Sequence, residues 1–208
     1  MANNYFDQSA ATWDDNPGRV QLMAAVGEAI VRQAKPTKQM SVLDYGCGTG
    51  LVGLFLLPHV QSVTGADNSP GMLDVLSTKI AQGSVSRMST MLLDLQKDPV
   101  PPDRYDMIVV SMALHHIADV DKTLQALHTM LRPGGVLCIA DLDTEPGTFH
   151  SAAAAGSVHH HGFDRQELTI RLQQAGFSCV NDATAVSFDR PVDGGGTQTF
   201  SIFLIIAR

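Results

Sequence analysis

The chain has 208 residues, of which 44% are hydrophobic and 17% charged. This composition predicts one globular domain and argues against a disordered chain. Its formal net charge of −7 and pI of about 5.5 disfavour a polyphosphate partner, so we expect no nucleic-acid substrate. The three cysteines (Cys47, Cys138 and Cys179) lack CxxC spacing, which argues against a disulfide framework or a Cys-rich zinc site. No apolar run approaches a membrane span and no export signal is visible, so a cytoplasmic location is expected.

The N-terminal part of the chain predicts a helical segment ahead of the first strand. Small and apolar residues recur at helical spacing from Pro17 to about Lys35, and Asn16 followed by proline is a typical helix start. We therefore expect residues 1–36 to form an N-terminal helical extension that acts as a lid. Residues 37–208 are expected to form the main domain.

Strands and helices alternate after this extension. The stretch 41–45 is short, apolar and followed by glycines, which is typical of a buried strand entering a tight turn. The same alternation predicts further strands and helices along the chain, with the strands at 62–67, 89–93, 105–111 and 136–140 and the helices at 51–56, 70–80, 119–131 and 164–175. Residues 132–135, Arg-Pro-Gly-Gly, are expected to end the third of these helices.

The C-terminal part of the chain departs from this alternation. Two strand-like runs, 183–188 and 197–207, are separated only by a loop that contains Gly194, Gly195 and Gly196. Without a crossover helix, the two runs should pair antiparallel. The fold class predicted is therefore α/β, with a doubly wound, mostly parallel sheet.

A glycine loop follows the first predicted strand. Gly46, Gly48 and Gly50 lie where an open α/β sheet binds ligands, and glycine lets the backbone approach a ligand closely. Residues 48–53 also satisfy the dinucleotide pattern. The loop alone therefore does not distinguish one cofactor from another, or a cofactor site from a plain tight turn. Asp67 ends the next strand, where a carboxylate can accept hydrogen bonds from ribose hydroxyls, a role that NAD would require equally.

Taken in order, five segments resemble the class I S-adenosylmethionine-dependent methyltransferases. They are Val42 to Gly50, Asp67, Asp94, Tyr105 to Ile117 and the Leu-Arg-Pro-Gly-Gly run at 131–135. The chain is particularly similar to the small-molecule branch that includes the ubiquinone/menaquinone-biosynthesis type enzymes. The resemblance implies a Rossmann-like sheet of seven strands with an antiparallel last strand, and S-adenosylmethionine as cofactor.

The resemblance also implies which residues form the cofactor site. Asp44, Gly46, Cys47 and Gly48 would face the methionine moiety, and Asp67 would hold the ribose hydroxyls. The remaining residues would border the adenine, recognise its edge or line the cleft, and they are Asn68, Met72, Asp94, Leu95, Ser111 and Met112.

Histidines supply the candidate catalytic residues. A base is needed only for a protonated acceptor, and His115 and His116 lie just after the fourth strand, near the expected cleft. Packing or helix capping is the alternative role for either residue. The run 159–161, His-His-His, with His150 upstream, is not expected to bind metal, because consecutive side chains rarely converge on one ion.

The predicted function is methyl transfer to a small-molecule acceptor. After the fourth strand, Ser111 to Leu114 lacks the Asp/Asn-Pro-Pro-Tyr/Phe motif of enzymes that methylate amide or nucleobase amino nitrogens. Two alternatives stay open, an NAD(P)-dependent oxidoreductase and a protein that binds S-adenosylmethionine without turning it over. The acceptor, the atom methylated, the oligomeric state and the role of residues 159–161 are left open by the sequence.

Overall fold

The computed structural model describes residues 5–178, 180–191 and 195–208. It contains seven strands, which are β1 (Ser41–Tyr45), β2 (Ser62–Asp67), β3 (Met88–Leu92), β4 (Tyr105–Ser111), β5 (Leu131–Leu142), β6 (Asn181–Pro191) and β7 (Thr197–Ala207). The α-helices of the described residues are α1 (Tyr5–Ser9), α2 (Pro17–Ala34), α3 (Leu51–Leu56), α4 (Pro70–Gln82), α5 (Val120–Met130) and α6 (Arg165–Gln174). None of these helices is both long enough and apolar enough to span a bilayer.

All seven strands form one sheet with the order β3-β2-β1-β4-β5-β7-β6. Strands β1 to β5 pair in parallel, whereas β7 runs antiparallel to both β5 and β6. The predicted doubly wound sheet and its antiparallel last strand are therefore confirmed. The order reverses between β1 and β4, and the crevice at such a reversal is where open α/β sheets bind ligands.

The start of β5 differs from the sequence prediction. We expected a turn over 132–135 and a strand from Val136, but β5 already begins at Leu131, which pairs with Tyr105. A register shift follows before the regular pairing of Met107 with Val136, and Gly134 has a positive φ of 78°. The glycines therefore distort the first part of the strand instead of separating it from the helix.

Alternating residues of the central strands face two separate apolar layers. On one face, helices α2, α3 and α4 cover Val42, Met107 and Cys138. On the other face, helices α5 and α6 cover Leu43 and Ile108. This burial on both faces explains why the strands read as continuous apolar runs in the sequence.

The predicted extension divides into two parts. Helix α2 begins after Asn16, whose side chain accepts a hydrogen bond from the Arg19 amide, and it is part of the core because Val26 and Ile30 are fully buried. Residues 5–15 instead lie against α4 and the glycine loop. There Asp14 accepts a hydrogen bond from Thr49 Oγ1 at 2.6 Å and pairs with Lys79.

Candidate active site

The glycine loop between β1 and α3 adopts a backbone that only glycine adopts freely. Gly46, Gly48 and Gly50 have φ values of 73°, 53° and 82°. A Cβ on Gly46 would lie 2.4 Å from Cβ of Ala113, so the loop and the turn after β4 approach each other closely. The amides of Gly46 and Cys47 donate to the carbonyl of Ala66 at 2.8 and 3.0 Å, which fixes the loop across the end of β2.

Two carboxylates lie beside this loop at the carboxyl ends of β1 and β2. The Asp67 Oδ2 atom accepts a hydrogen bond from the Gly48 amide at 2.7 Å, and its Oδ1 accepts one from the Ser69 amide at 2.9 Å. Burial raises the pKa of Asp67, although these amides oppose the shift. Asp67 thereby holds the loop and presents its carboxylate to the adjoining cavity.

Asp44 is the more deeply buried of the two carboxylates. Burial raises the pKa of its carboxyl to about 7, the Gly53 backbone opposes this in part, and the charge of Asp67 adds to it. Its Oδ2 atom has no hydrogen-bond partner among the described residues. A buried oxygen without a partner is costly, so the site fits a cofactor that brings an amino group as a hydrogen-bond donor, and the carboxylate charge suits a cation such as a sulfonium.

A cavity of about 1030 Å³ connects the glycine loop with the turn after β4. Most of the predicted site residues line it together, namely Asp44, Gly46, Cys47, Gly48, Asp67, Asn68, Met72, Ser111, Met112, His115 and His116. The volume lies at the upper end of the range for small-ligand pockets, roughly 300–1,000 Å³. It therefore has room for a cofactor and a small second ligand.

Asp94 and Leu95 lie outside the described lining of this cavity. The Asp94 carboxylate pairs with Lys97 Nζ at 2.7 Å, and Leu95 is buried with its amide donating to the Tyr45 hydroxyl at 3.2 Å. Leu93, two residues earlier than Leu95, lines the cavity instead. The adenine-recognition role of Asp94 and Leu95 stays a prediction.

The end of β4 carries a strained residue. Met112 has a φ of 52°, a backbone angle that residues other than glycine rarely adopt. Its amide donates to the carbonyl of Ala140 at 2.8 Å, which holds the chain in this conformation. Such strain is concentrated at functional sites, and here it turns the chain so that Ala113, His115 and His116 face the cavity.

His115 is held by a buried carboxylate. Its Nδ1 atom lies 2.6 Å from Oδ1 of Asp141, and both side chains are almost fully buried. Burial alone would raise the pKa of Asp141, but the His115 ring and hydrogen bonds from His115 and the Leu142 amide lower it below its usual value. Asp141 is therefore ionised and can accept a hydrogen bond from His115 Nδ1–H. In that tautomer, Nε2 is the ring nitrogen directed away from Asp141.

Two further imidazoles complete a cluster at this end of the cavity. His116 Nδ1 lies 2.7 Å from the carbonyl of Ser157, and His150 Nε2 lies 3.1 Å from His115 Nε2. Burial and the neighbouring His115 ring lower the pKa of His116 to about 4 and that of His150 to about 3. Both rings are therefore neutral near pH 7.

The histidine run at 159–161 has a supporting role in this arrangement. The amides of His159 and His160 both donate to the carbonyl of His115, at 3.0 and 3.1 Å. The His160 ring reaches the carbonyl of Ile117 at 3.0 Å, and His161 is exposed beside Glu145. His159 and His160 thus brace the turn that carries His115 and His116.

Sequence reasoning missed how several residues are used. His150 was expected only as a member of a rejected metal set, and no catalytic role was expected for Asp141, Asp7 or Asp14. Asp141 follows the apolar run of β5 much as Asp67 ends β2, so the strand-end rule was a signal for it. The contacts of His150 and Asp14 join residues 35 positions apart in the chain, and no local pattern indicates them.

The structure describes two of the three cysteines. Cys47 and Cys138 are free and buried, and burial raises the pKa of both thiols. Cys47 therefore forms part of the cavity wall as a neutral thiol and not as a nucleophile. Cys179 lies outside the described residues, as does Gly194 of the loop between the last two strands.

Comparison with known proteins identifies the family. A family described as "Methyltransferase domain" matches residues 19–181 of the chain. The chain belongs to this methyltransferase family. This confirms the resemblance to class I S-adenosylmethionine-dependent methyltransferases, with S-adenosylmethionine as cofactor, and it favours that cofactor over a nicotinamide dinucleotide.

Individual relatives agree with this assignment. An uncharacterised methyltransferase of Schizosaccharomyces pombe is 34% identical over 152 residues, which are 67% of this chain and 54% of that protein. A ubiquinone biosynthesis O-methyltransferase of Colwellia psychrerythraea is 24% identical over 91% of this chain and 86% of that protein. The chain spans about half the length of the first curated relatives it matches.

A solved structure shows the same fold. The DhpI complex with SAH superposes with a TM-score of 0.73 and covers 98% of this chain and 93% of that chain, at 19% sequence identity. At this identity the superposition demonstrates the shared architecture, and the residues of the site are assigned from their own geometry.

Proposed function

We propose that the protein transfers the methyl group of S-adenosylmethionine to an oxygen of a small-molecule acceptor. The observation that carries this proposal is the continuity of one cavity from the glycine loop to the histidines after β4. In this arrangement the cofactor occupies the half beside Asp44 and Asp67, and the acceptor occupies the half beside His115 and His116.

The chain's acidic residues suit the cofactor half. When bound, S-adenosylmethionine supplies a methyl group on a positively charged sulfur, which a nucleophile can displace. The orphaned Oδ2 of Asp44 accepts a hydrogen bond from the amino group of the cofactor's methionine moiety. Asp67 accepts hydrogen bonds from ribose hydroxyls while it keeps the Gly48 amide in place.

The histidines provide the proton acceptor on the opposite side. His115 takes the acceptor's hydroxyl proton on Nε2, because its Nδ1–H donates a hydrogen bond to Asp141. The acceptor oxygen then forms a bond to the methyl carbon, the carbon–sulfur bond breaks, and its electron pair stays on sulfur. His116 lines the acceptor half and restricts the acceptor's position there. Alignment of this kind can lower a barrier by up to ~7–11 kcal/mol.

Charge and shape favour a small acceptor. The net charge of −7 disfavours nucleic acid, and aromatic side chains enclose the acceptor half, including Phe149 and Phe188. Residues 5–15 add Phe6 and Trp13 over the cavity, and we assign this segment, rather than the whole of residues 1–36, the role of a lid. The printed name of the Colwellia relative, an O-methyltransferase, supports an oxygen acceptor.

A labelled-methyl assay tests this function. Purified protein is incubated with S-adenosylmethionine labelled in its methyl group and with a small-metabolite extract, beside His115→Gln and a His161→Gln control, whose side chain is exposed. We expect a labelled small product that requires the protein, is lost with His115→Gln and persists with His161→Gln. Label found only in macromolecules would contradict the small acceptor, and binding without any transfer would favour the non-catalytic alternative.

A further inference from the structure

Three histidines from two segments meet in the acceptor half of the cavity. His115 and His116 lie on the turn after β4, and His150 lies on the loop after β5. One ring nitrogen of each lies within 4.8 Å of those of the other two. We propose that His115, His116 and His150 bind a divalent transition-metal ion, with Zn²⁺ as the type that three imidazoles suit.

The hydrogen bonds around the cluster prepare the rings for a metal ion. A histidine ligand commonly donates its second ring N–H to a carboxylate or a backbone carbonyl, which fixes the tautomer and the ring orientation. His115 has such a partner in Asp141 at 2.6 Å, and His116 has one in the carbonyl of Ser157 at 2.7 Å. Both rings therefore keep a lone pair on Nε2, the atom a metal would bind.

The third ring, that of His150, has a buried nitrogen, Nδ1, without a hydrogen-bond partner among the described residues. His150 Nε2 lies within hydrogen-bond distance of His115 Nε2, at 3.1 Å, so without an ion one ring donates to the other, and an ion between the rings would replace this hydrogen bond. Tetrahedral zinc with bonds of about 2.0–2.1 Å holds its nitrogens roughly 3.4 Å apart. The separation of 3.1 Å between the Nε2 atoms of His115 and His150 is close to that spacing. A small movement of His116 would bring its ring nitrogen to the same ion.

The segments that carry the three histidines are held in place by backbone contacts. Glu145 is buried, and its Oε2 accepts hydrogen bonds from the amides of Gly147, Thr148 and Phe149, directly before His150. The amides of His159 and His160 hold the carbonyl of His115. A site whose ligands are positioned in this way loses little entropy when the ion binds.

Three protein ligands leave a fourth position open, as in zinc sites that carry out catalysis. This inference rests on the proposed function, in which the acceptor lies in the same half of the cavity. The acceptor's hydroxyl oxygen binds at the open position, and its proton leaves to solvent because the ion favours the oxygen anion. With the ion bound, the metal takes over the deprotonation that the proposed function assigns to His115, which then serves as a ligand. The base role of His115 applies to the metal-free protein.

Cobalt binding tests the site without relying on activity. The full chain, produced without a histidine tag and stripped with a chelator, is titrated with Co²⁺ and followed by visible absorption and calorimetry. We expect one Co²⁺ per chain, with affinity at least tenfold weaker in His116→Ala and in His150→Ala and unchanged in His161→Gln, whose ring is exposed outside the cluster. Melting curves and S-adenosylhomocysteine binding establish that each variant is folded.

The outcomes separate this inference from the proposed function. Failure to bind one Co²⁺, or equal binding by the wild type and both alanine variants, would overturn the metal site even if the chelated protein still transferred methyl groups. Stoichiometric Co²⁺ binding that depends on His116 and His150 supports the site even if the labelled-methyl assay finds no transfer.

Discussion

At the scale of single residues, the site depends on carboxylates with different tasks. Asp44 is buried without a partner for one oxygen, Asp67 supports the glycine loop, and Asp141 orients His115. Their positions at the carboxyl ends of β1, β2 and β5 follow from the topology of a parallel sheet. Substitution of each of these three carboxylates should therefore change a different measured property of the protein.

The pKa of about 7 for Asp44 predicts a pH-dependent cofactor affinity. Because the folded carboxyl titrates above its usual range, it is largely protonated below pH 6 and ionised above pH 7.5, and only the anion attracts the cofactor's cationic groups. We expect S-adenosylmethionine to bind more tightly as pH rises from 5.5 to 7.5, measured by calorimetry.

Asp44→Asn serves as the control for this titration, because the amide has no charge to gain. Its cofactor affinity should be weaker at pH 7.5 and nearly independent of pH. A wild-type affinity that stays flat over this range would show that Asp44 does not act as a titrating partner of the cofactor.

Asp141→Asn should reduce turnover without weakening cofactor binding. The amide leaves His115 without an anionic partner and allows the tautomer with the proton on Nε2, so the lone pair that faces the acceptor is lost. We expect kcat to fall roughly 10²- to 10⁴-fold, the usual contribution of acid–base catalysis, while the S-adenosylhomocysteine affinity stays close to wild type. The melting temperature should also fall, because both carboxylate oxygens accept hydrogen bonds from backbone amides and the Asn NH2 group cannot. Unchanged kcat would remove Asp141 and His115 from the reaction.

At the scale of elements, the segment 5–15 acts together with α4 and the glycine loop. Asp7 accepts hydrogen bonds from Ser69 Oγ and from the Gly71 amide, the latter at 2.9 Å. Ser69 in turn caps α4 by accepting from the Met72 amide. The extension is thus tied to the strand end that carries Asp67, so its position and cofactor binding are coupled.

Asp7→Ala tests this coupling. Loss of the hydrogen bonds, each contributing about 0.5–1.5 kcal/mol, should loosen the segment over the cavity and weaken S-adenosylhomocysteine binding by about threefold or more. Asp15→Ala is the matched control, since Asp15 belongs to the same segment and is exposed. Equal affinities for the two variants would mean that the segment does not contribute to the cofactor site.

The elements were predictable from sequence where their signals are local. Hydrophobic periodicity and turn residues indicated the alternation of strands and helices. Asn16 caps α2 at the predicted helix start, and Asp164 caps α6. The predicted start of β5 was wrong because Leu131 already pairs with Tyr105 of β4, and a register shift carries the strand past Gly134 and Gly135 to the regular pairing at Val136. Tertiary pairing overrides local propensity in such segments.

The candidate site was predictable only in its cofactor half. The glycine loop and Asp67 carry a motif, whereas the contacts of His115 with Asp141 and His150 join residues 26 and 35 positions apart. Those contacts depend on how β4 and β5 align and on the Glu145 turn, and neither feature has a sequence signature. Asp94 had the expected position at a strand end, but its charge is directed to Lys97.

At the scale of the whole molecule, one sheet places an acidic cofactor half and a histidine-lined acceptor half in a single cavity. The reversal of strand order between β1 and β4 opens the crevice, the acidic strand ends face its cofactor half, and the histidines after β4 and β5 face the other. The central claim is that the acidic half binds S-adenosylmethionine and not a dinucleotide.

A calorimetric titration with S-adenosylhomocysteine, run beside one with NAD, tests this claim most directly. We predict one S-adenosylhomocysteine site per chain and no NAD binding. Asp67→Ala should weaken the site roughly 10- to 100-fold, because hydrogen bonds to a charged group contribute about 1.5–3 kcal/mol, and Asp74→Ala, an exposed change on α4, should leave it unchanged. NAD binding without S-adenosylhomocysteine binding, or an Asp67→Ala affinity equal to wild type, would contradict it.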